Sequence, residues 1–239
     1  MTAEKKAKPP AKAPARSRKE QAQQTRVRLK EATKIVLGRI GYRQMRIADI
    51  TKEAGVAVGL FYHYFPDLKA ITAEVLSDFM AVMTEKARQV PQGGDLFDTL
   101  FEQYKILIGH FEEHPGLMRC MLQASDEIPE FGQIWDSSNR QWTASFARYL
   151  AEYCKPAGME PGTVTMMAYC LGSMSDGVLQ EYYVQRNPDL LACTPSIAAL
   201  AEMLAILTYR AVFLSNPPAE KLRMTTGLLK VPGKPPPAP

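Results

Sequence analysis

An all-α fold, with an N-terminal three-helix helix-turn-helix domain and a larger C-terminal helical domain, is what this 239-residue sequence predicts. Three observations carry that reading. Apolar residues recur at spacings of three and four along most of the chain, the period of an amphipathic helix. The breaks between those patterns, PQGGD, HPG, KPAG and NP, are of the kind that stop helices. The stretch MRIADITKEAGVAVGLFYHYFPDLK, Met45 to Lys69, reads as two short helices hinged on a glycine.

Residues 1 to 18 are rich in Lys, Ala and Pro and carry almost no large apolar side chain, so burial cannot offset the entropy of ordering them. A disordered basic arm is expected there. It either follows DNA phosphates or a minor groove through Lys5, Lys6, Lys8, Lys12, Arg16, Arg18 and Lys19, or merely solubilises the chain. The helix-turn-helix domain is expected over residues 19–69. Leu29, Ala32, Val36, Leu37 and Ile40 form one helical stripe, with Gly41 as a left-handed C-cap candidate. Ile47, Ile50 and Ala54 describe a second, short helix, Gly55 takes the positive φ of the turn, and Val58 to Phe65 describe a third that Pro66 ends.

The last helix of such a unit lies in the major groove. Here it is aromatic and poor in negative charge. Tyr62, His63 and Tyr64 can donate to phosphates or base edges, and Gly59 lets the DNA backbone come close. Phe61 and Phe65, four residues apart, satisfy the core, which leaves Tyr62 and His63 facing outward. Val58, Arg46, Lys52 and Lys69 complete the expected contact set, the cations on phosphates.

The segments TRVRLKEATKIVLGRIGY and IADITKEAGVAVGLFYHYF resemble the DNA-binding domain of the tetracycline-repressor (TetR) family, over roughly residues 25 to 71. The resemblance implies an all-helical homodimer that binds double-stranded palindromic operator DNA, with a small-molecule pocket in the C-terminal domain. The chain also departs from the family pattern. Arg46 replaces the usual Thr at the first N-cap, Ala57 the usual Ser or Thr before the recognition helix, and Leu68 a usual Lys. Each lost cap weakens a helix start by about 1 kcal/mol. Ala48, at a helix-two position some relatives use for base reading, has no donor, so another member's base code does not transfer.

Charge is divided along the chain. Residues 1–69 hold 16 Lys and Arg against 6 Asp and Glu, while the rest holds 13 against 19, within a net charge of +4. That asymmetry suits counterion release at the helix-turn-helix and orients the acidic half away from the duplex.

Residues 70–216 are expected to form the effector-binding and dimerisation domain. Asp67 caps a helix to about Gln89 whose buried stripe is Leu68, Ile71, Val75, Leu76, Phe79 and Val82, and which links reader to sensor. A helix from Leu96 to Glu113 and a short apolar one over Leu117–Ala124 follow. Phe131, Trp135, Asn139, Trp142, Phe146 and Tyr153 then share one helical face, which is either core or the wall of a ligand cavity anchored by Asn139. Tyr104, Met121, Trp135, Asn139, Trp142, Phe146 and Asp176 are the expected ligand contacts; Asp176 also fits a helix–helix hydrogen bond, the favoured role.

Pro161 and Gly162 open a helix to about Arg186, and Thr194 with Pro195 caps the last one, where Ile197, Leu200, Leu204, Leu207, Ala211 and Leu214 repeat. Two late apolar helices suit a four-helix dimer interface. Residues 217–239 read as a flexible Pro-rich tail.

No run of about 18 apolar residues and no N-terminal apolar h-region appears, so neither a membrane span nor secretion is expected. Cys120, Cys154, Cys170 and Cys193 lack C-x-x-C spacing, which fits reduced, packed thiols in a cytoplasm. Phosphate-loop, nucleophile-elbow and zinc-protease motifs are missing, and His110 with His114 lacks a third ligand. No cofactor, metal or enzymatic activity is therefore expected. The function implied is a transcriptional repressor released from its operator by an apolar or aromatic effector; the alternative is a ligand-independent or partner-controlled DNA-binding protein with a filled C-terminal core.

Overall fold

The structure, a computed structural model, describes residues 17–90, 94–124, 127–193 and 196–230, and those residues form helices and turns without a strand. The basic arm lies outside them except for Ser17 and Arg18, which belong to the first helix. Ser17 caps α1 (Arg18–Ile40) by accepting from the Glu20 amide at 3.2 Å, and Glu20 returns the bond to the Ser17 amide at 2.8 Å. Leu29, Ala32, Val36 and Leu37 are buried on one face, as expected, with Thr33 between them bonded to the Leu29 carbonyl.

α2 (Ile47–Ala54) follows a loop and ends at Gly55, whose φ of 64° puts it in the left-handed region the turn requires. Arg46 has no side-chain acceptor with which to cap this helix. Asp49 compensates from within by accepting from the Arg46 amide at 2.9 Å. α3 (Val58–Phe61) is shorter than the expected Val58–Phe65, because the next residues close as tight turns: the His63 amide donates to Leu60 and the Tyr64 amide to Phe61. Phe61 and Phe65 are buried beneath it, their ring centres 5.9 Å apart.

α4 (Leu68–Arg88) starts at Asp67, whose carboxylate accepts from the Ala70 amide at 2.7 Å. Its buried stripe is Ile71, Val75, Leu76, Phe79, Met80 and Met83. Val82 is instead exposed, since Met83 continues the four-residue steps from 75 and 79 while 82 turns outward. Glu74 pairs with Arg26 and with Lys30 at 3.0 Å, and Asp78 pairs with Lys30, which fastens α4 to α1. On the other side Phe79 stacks on His110 of α5 (Leu96–Glu113) with ring centres 5.2 Å apart.

α6 (Pro115–Gln123) crosses α1 where two glycines meet. A Cβ on Gly116 would lie 2.4 Å from the Gly38 Cα, so only a bare backbone fits there. α7 (Pro129–Cys154) runs from beneath the helix-turn-helix, where Phe131 meets Tyr42 edge-on at 5.1 Å, to α8 (Pro161–Leu179), against which Ala147, Leu150 and Cys154 pack. α8 continues as a π-helical turn to Gln185 and stops at Arg186, whose φ is 60°.

A six-residue helix that sequence spacing did not suggest, α9 (Pro188–Cys193), follows. The Thr194–Pro195 cap expected for the last helix lies outside the described residues. Ser196 caps α10 (Ile197–Phe213) by accepting from the Ala199 amide at 3.1 Å. The expected α10 stripe divides: Leu200 and Leu204 are buried towards α5, whereas Leu207, Ala211 and Leu214 are exposed. Cys120 and Cys154 are buried; Cys170 and Cys193 are exposed, and all four are free thiols.

Residues 217–230, expected as part of a flexible tail, fold back on the domain. The buried Glu202 carboxylate accepts from the Arg223, Met224 and Thr225 amides at 3.0, 2.9 and 2.7 Å and from the Thr225 hydroxyl at 2.6 Å. Burial alone would raise its pKa, but those donors outweigh burial and hold it below the usual value. Lys221 adds bridges to Asp95 at 2.8 Å and Asp98 at 2.7 Å. Composition pointed to a tail here because the signal, one buried glutamate, sits on another element.

Two predictions follow from this packing. Gly116→Ala forces α6 off α1 and should cost about 1–3 kcal/mol in urea unfolding, the usual penalty for overpacking. His110 is 2% exposed, its Nε2 has no hydrogen-bond partner among the described residues, and burial, aided by Lys86 and His114, pushes its pKa down to about 4. The folded state therefore binds fewer protons than the unfolded one. Stability from neutral His110 is complete above the unfolded value of about 6.5 and is lost as pH falls towards 4. His110→Phe should accordingly be roughly 1–3 kcal/mol more stable than the parent near pH 4.5, with a smaller difference at pH 7.5, in urea melts at both values.

Candidate nucleic-acid interface and ligand cavity

The first candidate site is built by α2, α3 and the turns after α3. Val58 is 47% exposed and Tyr62 58% exposed, both large side chains facing solvent from a well-packed unit. His63 is exposed beside them, and a Cβ on Gly59 would meet nothing within 4 Å, so that surface is open for close approach. Arg46 and Lys52 flank this ridge, exposed and without an acidic partner among the described residues. Cations left unpaired beside an exposed polar and aromatic ridge match what phosphate binding needs.

Two expected contacts sit differently. Lys69 pairs with Glu130 on α7 at 2.8 Å, so its charge ties α4 to α7 instead of standing free for a phosphate. Tyr64 is half-buried against the core, because the turn after Phe61 carries its ring inward, and its carbonyl accepts from Arg26 at 3.1 Å. Sequence reasoning could not pair Lys69 with Glu130, since the two are distant in the chain and meet only through α4–α7 packing.

The second candidate site is a cavity of about 980 Å³ between α4, α5, α7 and α8. It gathers Tyr104 from α5, Asn139, Trp142 and Phe146 from one face of α7, and Asp176 from α8. Met121 and Trp135 do not reach it. They line a smaller hollow of about 390 Å³ between α6 and the start of α7, with Pro129, Gly132 and Asp136. The reason is the length of α7: Trp135 lies two turns before Trp142, under the helix-turn-helix side of the domain.

Residues that periodicity alone missed also line the cavity, among them Thr84, Arg88, Gln103, Tyr149, Gly172 and Ser175. The Trp142 indole N–H donates to Thr84 at 3.3 Å, linking the cavity wall to α4. The Tyr104 hydroxyl is 2.8 Å from Thr208 and accepts from Ser175 at 3.1 Å, so this buried trio is satisfied internally. Asp176 forms no helix–helix hydrogen bond among the described residues; desolvation pushes its carboxyl up to about 6. No group of three or more metal-ligating side chains occurs among the described residues, and no described helix is long and apolar enough to cross a membrane.

The family model "Bacterial regulatory proteins, tetR family" matches residues 29–75, the segment that contains the exposed ridge. The chain is 22% identical over 153 residues to the HTH-type transcriptional regulator EthR of Mycolicibacterium smegmatis, covering 62% of this chain and 69% of EthR. Among solved structures, a tetR-family transcriptional regulator from Streptomyces coelicolor superposes with a TM-score of 0.66 at 16% identity, over 80% of each chain. The fatty acid degradation regulator FadR of Bacillus halodurans gives 0.60 at 17% identity, over 77% of this chain and 94% of FadR. Those likenesses carry the fold over 77–80% of the chain. The matched segment thus marks residues 29–75 as a tetR-type DNA-binding domain, and the helical order around it is that of the tetR-family regulator structure it resembles.

Proposed function

We propose that the protein is a homodimeric cytoplasmic repressor that binds a palindromic operator through its exposed ridge and is released by an apolar or aromatic effector entering the α4–α8 cavity. The observation that carries this reading is the connection between the two sites: α4 supports the helix-turn-helix at one end and lines the cavity with Thr84 and Arg88 at the other. Tilting α4 would change the separation of two recognition helices, which must lie near one DNA turn, about 34–36 Å, to fit two half-sites. An effector moves that equilibrium only by its affinity difference between the two states.

The dimer surface in this proposal is the outer face of α8 and α10. Met166 is 66% exposed there, and Tyr169, Cys170, Leu207 and Ala211 are also exposed, an apolar surface that a second copy would bury. A cavity of about 980 Å³ favours ligand control over the ligand-independent alternative, which needs a filled core. The fold shared with a regulator of fatty acid degradation agrees with an apolar effector.

An operator recovered by selection from random duplexes provides the assay. Arg46→Ala and Lys52→Ala should each weaken binding across sequences and lower the salt slope by about one. Tyr62→Ala and His63→Ala should each cost roughly 1–3 kcal/mol on the selected operator and relax its sequence preference. Fluorescence anisotropy over a salt series distinguishes the two classes, and an unchanged slope in both basic variants would remove the phosphate assignment. Gly172 lines the cavity with nothing within 4 Å of its Cβ position, so Gly172→Phe fills the space without meeting backbone. That variant should bind operator as the parent does and no longer respond to effector; retained release would place the effector elsewhere.

A further inference from the structure

The α8 wall of the cavity carries a carboxyl group, that of Asp176, that no described residue partners. Asp176 follows Ser175, whose hydroxyl already donates to Tyr104 at 3.1 Å and lies 3.1 Å from the Leu171 carbonyl. Tyr104 is in turn 2.8 Å from Thr208, so the neighbouring hydroxyls are occupied with one another. The Asp176 carboxylate makes no hydrogen bond or ion pair among the described residues.

The charged and titratable groups facing this space come from each element that packs around it. α4 contributes Arg88, α5 contributes Tyr104, and α7 contributes Arg148, Tyr149 and Glu152. Arg148 donates to Ser145 at 2.9 Å and Arg88 lies 3.9 Å from Glu85. Neither arginine lowers the Asp176 pKa; burial is the one influence on it, and it raises the value to about 6. A partly buried carboxylate with no donor among the described residues carries a desolvation cost that an incoming cation would offset. Nearby, Trp142 has its indole N–H on Thr84, which leaves its ring faces, with Phe146 and Tyr149, to hold an apolar body and to attract a cation.

We infer that the effector is a cationic amphiphile, an amine-bearing aromatic or aliphatic molecule whose ammonium sits on Asp176 and whose body lies against Trp142, Phe146 and Tyr149. This deepens the proposed function and rests on the cavity being the effector site. Because the amine favours the ionised carboxylate, its binding near pH 6 releases a proton, and its affinity falls as pH drops through that region.

Three probes with one body separate the possibilities: phenylbutylamine, phenylbutanol and phenylbutyrate, titrated calorimetrically into the full-length protein and into Asp176→Asn. The amine is expected to bind at least about tenfold more tightly than the alcohol, equivalent to about 1.4 kcal/mol, with the acid weakest. In Asp176→Asn the amine should lose that advantage while the alcohol is unaffected, and in the parent the advantage should shrink below pH 6. Equal binding of the three, or strongest binding of the acid, would overturn the amine assignment and leave the cavity as an effector site. Binding of none of them to the parent protein would overturn the amine assignment and the proposed cavity together. The comparison of probes on the parent decides the matter even if the variant does not fold.

Discussion

α4 is the constraint on which the rest of the structure depends, because it is fastened to α1 on one side and packs on α5 and α7 on the other, within one continuous core. Three short helices cannot enclose enough apolar surface to stand alone, and small domains are marginal for that reason. α4 supplies the missing cover for α1 and α3, fixed by the Lys30, Glu74 and Asp78 ion pairs, while Arg26 bridges Glu74 and lies 4.4 Å over the Phe65 ring. The same helix gives Phe79 to His110 on α5 and Thr84 to Trp142 on α7. One helix therefore touches both the packing around Trp142 and the helix-turn-helix.

A second tie between the helix-turn-helix and the larger domain lies at the α1–α6 crossing. Gly116 rests on Gly38 with no side chain between, a contact that leaves no room for a Cβ. Around it Arg43–Glu127 and Lys69–Glu130 join the two halves as exposed, solvent-screened ion pairs. The stronger link is the Tyr42–Phe131 contact, apolar and edge-on. The C-terminal segment is held in the opposite manner: four donors converge on the buried Glu202, and its return over α5 and α10 is fixed.

Much of the helical plan was legible in the residues. The α1 stripe, the Gly55 turn, the Asp67 cap and the bounds of α5 need only local spacing and local hydrogen bonds, and these are written in consecutive residues. The outward set of Val58, Tyr62 and His63 was legible too, since Phe61 and Phe65 take the inward positions. Five cavity residues emerged from one helical stripe plus Tyr104 and Asp176. Trp135 and Met121 did not join them, because α7 outruns the cavity and its first turns serve another packing surface.

By itself, then, the sequence determined the period, the caps and the breaks, and with them an all-helical chain with a helix-turn-helix at its basic end. Only the tertiary structure decided that Lys69 is engaged with Glu130, that Leu207 and Ala211 face outward while Leu204 is buried, that residues 217–230 close on Glu202, and that Asp176 stands unpaired in a cavity. The physical reason is range. A helical period is a relation between neighbours in the chain, whereas the fate of a charge or an apolar face is set by whichever distant element packs opposite it.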